Sequence, residues 1–154
     1  MYHLPDFLPC LYALVACMAF CILYNIRGAD MLIASVDGAF GWLVFVLLTP
    51  VVSSDVVRYF FSAVAISVYA EIAARIRKHP VTGYLLLAYI PLVPGAGIYN
   101  MMEFCISGQQ DAFAATGLHT LGIAGALAVG VLMVSSGVRM YNIIVARRAL
   151  RKKR

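Results

Sequence analysis

Residues 89–100 read Tyr-Ile-Pro-Leu-Val-Pro-Gly-Ala-Gly-Ile-Tyr-Asn and lie inside an apolar run long enough to cross a bilayer. Proline removes a backbone donor and its ring clashes with the preceding turn, so a helix through Pro91 and Pro94 has to kink or break. Hydrocarbon cannot hydrogen-bond the freed carbonyls and amides, so a break at membrane depth survives only where it faces protein or a wet cavity. The segment after Gly95 then starts a fresh half-helix, whose free amides and dipole carry roughly half a positive charge. An anion suits that end, and small carboxylates are the natural guests. Tyr99 and Asn100, one turn further on, add hydrogen-bonding groups for a hydroxyl or a second polar group. Broken helices of this kind often hold the substrate in secondary transporters. The competing reading is a kink that serves packing alone, and it leaves the Gly95-Ala96-Gly97 segment after the two prolines without a purpose.

Composition supports a membrane setting. Soluble domains carry about 25% charged residues, whereas this chain is 12% charged and 63% hydrophobic over 154 residues. We expect an all-α integral membrane protein folded as a single transmembrane domain. A crossing needs about 20 apolar residues, and five runs approach that length, at about 7–25, 31–50, 55–75, 82–106 and 113–145. The fourth contains the break at Pro91-Leu92-Val93-Pro94-Gly95. Met1 to Phe7 holds no lysine or arginine, only His3 and Asp6, so the first run is expected to be a retained span rather than a cleaved leader.

Six of the twelve basic residues lie in a tail over 147–154. No aromatic residue interleaves that tail, so bases have no stacking platform and nucleic acid is not expected as a partner. A basic tail of this kind sits against an anionic leaflet. Arg27, the Arg75-Ile76-Arg77-Lys78 patch, Arg139 and the tail fall on one side of five spans, with Asp6, Asp55 and Asp111 on the other. The positive-inside rule then sets the C-terminus in the cytoplasm and the N-terminus outside, in a bacterial inner membrane. Arg58 is the one basic residue left near the outer side.

Asp37 is the most expensive polar residue, about 9 Å along span two from its cytoplasmic edge. An acid there must be paired, hydrated or protonated, which makes it a candidate for proton coupling. Gly38 and Gly41 beside it allow close approach of another backbone. His119, early in span five, and Glu103, one turn beyond Tyr99, are weaker candidates for the same role. Glu71 precedes Arg75 by four residues, a spacing that predicts a helical ion pair. Gly122, Ala126 and Gly130 form a small-residue stripe for helix packing, with its partner open. Tyr2, Tyr84, Tyr141 and Trp42 read as members of interfacial aromatic belts. Cys10, Cys17 and Cys21 share a helical face, but with no histidine or acid beside them they read as small buried hydrophobes rather than metal ligands.

Three elements together carry a resemblance. They are Asn25 and Arg27 after the first span, the basic patch Arg75, Arg77, Lys78, His79 and Pro80 before the fourth, and Ile-Pro-Leu-Val-Pro-Gly-x-x-x-Tyr over Ile90 to Tyr99. With them the chain resembles the threonine/serine exporter family, and in particular the small subunit of its split, two-gene form. The resemblance implies a secondary exporter of small carboxylates, such as threonine and serine or a dicarboxylate like succinate. It also implies a larger partner subunit with five further spans and a soluble domain. Pro91, Pro94, Gly95, Gly97, Tyr99 and Asn100 are the expected substrate-binding residues, with Asn25 and Arg27 as further polar candidates. The mechanism expected is alternating access, without cofactor; no Gly-rich phosphate loop is present, so proton movement is the expected energy source. A second copy of the chain is a further candidate partner. A small lipid-modifying membrane enzyme and a scaffold for another protein are the alternatives, although the acids are scattered and form no catalytic set.

Overall fold

The computed structural model describes residues 7–152, and among these it contains helices and no strand. Helix α1, Leu8–Leu23, carries Pro9 in its first turn, where a missing amide costs nothing. Its exit turns through Asn25 and Gly28, both at positive φ. Helix α2 spans Ala29–Leu48 and α3 spans Asp55–Arg77. Ser54 occupies the N-cap position of α3, but its hydroxyl makes no capping bond. Lys78 closes α3 in the left-handed region and Pro80 follows at the start of the next helix, a common way to stop one helix and begin another. Helix α4, Val81–Tyr89, tightens into a 3-10 turn at Ile90–Leu92. Helix α5, Gly95–Ile106, follows, and α6 runs over Gln110–Lys152.

Helices α2, α3 and α6 are each long and apolar enough to cross a membrane, and the bent pair of α4 and α5 adds a fourth candidate. The two halves of that pair meet at an angle of 49°. Helix α1 is apolar but has 16 residues, against about 20 for a full crossing. The chain is an all-α membrane protein whose fourth apolar segment is broken where the prolines require it. Its 43-residue last helix is about 65 Å long, roughly twice a hydrocarbon core.

Packing runs through small residues. One cluster joins Cys21, Ala34, Ala70, Ala74, Tyr84 and Leu87; a second joins Ala63, Ile66, Ala88, Leu92, Ile123 and Leu127. A Cβ on Gly38 would strike Cys17 Sγ, and one on Gly41 would come within 2.7 Å of Ile66. The stripe on α6 finds its partner in α3. A Cβ on Gly130 would lie 2.8 Å from Ala63 and 3.1 Å from the Phe60 carbonyl, and Gly122 faces Val56. Large apolar side chains such as Leu23, Ile76, Leu118 and Leu121 point outward. Dispersion between closely approaching backbones, rather than exclusion of water, is the force available to such a bundle in lipid.

Three expectations are corrected. Arg75 does not pair with Glu71; its guanidinium donates to Asn142 Oδ1 on α6 at 2.9 Å, because the α3–α6 contact brings a fixed acceptor within reach. Tyr84 is no belt residue: it is buried, and its hydroxyl donates to Asp30 at 2.6 Å. Trp42 likewise turns inward, toward the break. Tyr2 lies outside the described residues.

Candidate functional site

The break forms in three steps along the backbone. Pro91 has no amide for the Leu87 carbonyl, and Pro94 has none for that of Ile90. The Gly95 amide, which would serve Pro91 in a continuous helix, instead bonds Val93 O at 2.7 Å. The Ile90 carbonyl is reached by the Val93 amide at 3.4 Å. Side chains from two other helices serve two further carbonyls. Cys17 Sγ on α1 donates to Leu87 O at 3.3 Å, and Trp42 Nε1 on α2 donates to Pro91 O at 3.1 Å. The rule that freed backbone groups at membrane depth need internal partners is thus met by a thiol and an indole. Neither residue stood out as functional in the sequence. Pro91 and Pro94 signal that donors are required, but not which helices supply them.

Beside this break lies Asp37. Its residue is fully buried, on the same face of α2 as Ala34, Gly38 and Gly41, and neither carboxyl oxygen has a hydrogen-bond partner. It stands nine residues into α2, about 12 Å along the axis and deeper than the sequence suggested. Gly38, its neighbour, abuts the break: a Cβ there would lie 3.6 Å from Pro91 Cγ. Cys17 and Tyr69 are within electrostatic reach of the carboxyl. Ser62, also fully buried, has an unpartnered hydroxyl on α3.

The other residues expected at the site spread along α5. Gly97 and Met101 face α6, against Thr120 and Gly117 respectively. Gly95 is exposed, with open space where a Cβ would be. Tyr99, Asn100 and Glu103 lie on the outward side and are exposed. The structure therefore gathers Asp37, Pro91, Cys17 and Trp42, while Tyr99, Asn100 and Glu103 form a separate outward strip. His119 is remote from Asp37, half-exposed at 4.0 Å from Asp55, which also pairs with Arg58.

Asn25 and Arg27 join a second feature. They line a cleft of about 390 Å³ together with Asp30, His79, Thr82 and Gly83. Asp30 anchors its wall, accepting from Arg77 Nε at 2.8 Å and from Tyr84, with His79 Nε2 at 3.5 Å. Two of the three elements behind the resemblance, distant in sequence, thus meet at one end of the bundle.

A family model described as threonine/serine exporter matches residues 9–136. The chain belongs to the threonine/serine exporter family. The match takes in α1 to α5, the break and most of α6, so the helix interruption lies within the matched stretch. No match is found among curated proteins or among solved structures. Membership in an exporter family, together with apolar helices of membrane length, makes this a multi-pass membrane transport protein.

Proposed function

We propose that this chain is the small membrane subunit of a two-component secondary exporter. It moves small carboxylate metabolites, threonine and serine or a dicarboxylate such as succinate, by alternating access. The observation that carries the reading is a buried, unpartnered acid beside a helix break whose Leu87 and Pro91 carbonyls are already served by side chains of the protein. A break needed only for packing has no use for Asp37, which costs several kcal/mol in hydrocarbon unless it takes up a proton or a partner. The Ala96 and Gly97 amides in the first turn of α5 lack acceptors within their own helix and attract an anion. Asp37 supplies the proton-linked step.

Two further features support the reading. The exposed strip of Asn100 and Glu103 on α5 is unfavourable against lipid, which suits a face covered by a larger partner subunit. Contacts of Asp30 with Arg77 and of Arg75 with Asn142 gather the basic segments at one end of the bundle. That end is assigned to the cytoplasm, with α1 as a fifth, short crossing and the N-terminus outside.

Efflux from cells preloaded with threonine, serine or succinate tests this. Strains carry this chain, its larger subunit, both, or both with Asp37→Asn. Efflux that needs both chains and is lost in the variant at normal abundance supports the proposal. Absence of efflux of all three compounds from cells with the assembled complex overturns it.

A further inference from the structure

We infer that the cleft between the α1–α2 turn and the start of α4 is a separate binding site for the carboxylate of a small metabolite. Arg27, His79 and the first amides of α4 hold the ligand. The inference rests on the exporter reading for its biological sense, but its chemistry stands on the cleft.

The argument begins with charge. Arg77 and His79 contact one acid, Asp30, and Arg27 lines the same cleft as that acid. That acid is already satisfied: Arg77 grips both oxygens, at 2.8 and 3.4 Å, and the Tyr84 hydroxyl donates at 2.6 Å. Arg27, by contrast, has no ion-pair or hydrogen-bond partner among the described residues, although it lines the cleft. The Asp30–Arg77–Tyr84 cluster therefore builds the wall and keeps the acid from neutralising Arg27.

The backbone contributes as well. Helix α4 starts at Val81 after Pro80, and no side chain caps it. Thr82 and Gly83 in its first turn line the cleft, and open space stands where a Gly83 Cβ would be. Donors there and the Arg27 guanidinium both favour a planar anion, which a guanidinium meets with two parallel hydrogen bonds. The volume of about 390 Å³ is in the range of small-molecule sites.

Position relates the cleft to the buried acid. Asp30 and Asp37 are seven residues apart on α2, two turns along nearly the same face, a rise of about 10 Å. Ala34 lies between them and belongs to the buried cluster with Cys21, Ala70, Ala74, Tyr84 and Leu87. The cleft thus stands about two helical turns from the buried acid, with the cluster of Ala34, Tyr84 and Leu87 between them.

The test measures binding directly, apart from transport. Full-length protein purified in neutral detergent is titrated with radiolabelled L-threonine and succinate. Competitors are L-threoninol, which lacks the carboxylate, and inorganic phosphate, which stands for a lipid headgroup. Arg27→Gln is expected to weaken binding about tenfold, Arg27→Lys to restore part of it, and Gly83→Val to weaken it by filling the cleft. Melting curves matching wild type assign these losses to the ligand. Absence of binding, binding unchanged in Arg27→Gln and Gly83→Val, or competition by threoninol or phosphate equal to that of the carboxylates overturns the inference. Binding that behaves as expected in a protein that does not export upholds the cleft and removes the exporter reading. Export by a protein whose binding ignores both substitutions does the reverse.

Discussion

The indole of Trp42 donates to the carbonyl of Pro91 at 3.1 Å, joining α2 to the one backbone oxygen that the turn at Gly95 abandons. With the Cys17–Leu87 contact it fixes the end of α4 between two helices. Trp42→Phe keeps most of the ring and removes the donor. An orphaned buried carbonyl costs about 1–3 kcal/mol, so the variant is expected to melt earlier in detergent by a corresponding amount. An unchanged melting temperature would mean that the carbonyl finds another donor.

Asp37→Asn separates the charge of this residue from its shape. The native carboxyl has no partner to lose, so the variant is expected to reach wild-type abundance and thermal stability. Export is expected to fall at least tenfold and to lose its response to an imposed pH gradient. Efflux and its pH response both intact would reduce Asp37 to a packing residue.

Gly95 and Gly97 are two residues apart and should behave oppositely. Open space surrounds a Cβ at Gly95, and its φ is not positive, so Gly95→Ala is expected to leave stability within about 0.5 kcal/mol. At Gly97 a Cβ meets Thr120, whose hydroxyl is committed to the Thr116 carbonyl at 2.7 Å. Gly97→Val is expected to destabilise by about 1–3 kcal/mol through overpacking of the α5–α6 contact. Chemical denaturation of both variants decides the matter, and equal stabilities would contradict the geometry.

Tyr84→Phe removes the buried hydroxyl that holds Asp30 against α4. Arg77 remains on the acid, so the helices stay together, but the start of α4 loses its tether. Faster amide hydrogen exchange is expected over Val81 to Leu85, with little change in α3. Exchange unchanged in that segment would show that Arg77 and packing alone position the helix.

Much of this architecture was legible from chain chemistry. Pro91 and Pro94 demand a break, and it occurs where they stand. Each apolar run overlaps a helix, although α6 at Gln110–Lys152 extends beyond the run at 113–145, and Gly38 and Gly41 announce close contacts that do form. What stayed hidden depends on partners from elsewhere in the fold. The spacing of Glu71 and Arg75 is right for a pair, yet spacing along one helix is blind to Asn142 arriving from α6. Trp42 and Tyr84 carry the apolar bodies and polar tips of interfacial residues, and only the positions of Pro91 and Asp30 draw them inward. The outward strip of Tyr99, Asn100 and Glu103 was also unreadable, because its direction is set by Gly97 meeting Thr120.

The division of α4 from α5 bears on how the protein is made. Helix α4 packs on α2 and α3, which precede it, whereas the extensive contact of α5 is with α6, which follows. During synthesis the second half of the broken segment leaves the ribosome before α6, the helix with which it makes its extensive contact. It must wait for Gly117 and Thr120, and at about 5–20 residues per second that delay is a few seconds at most. The emerging α6 then becomes the template on which the half-helix is set.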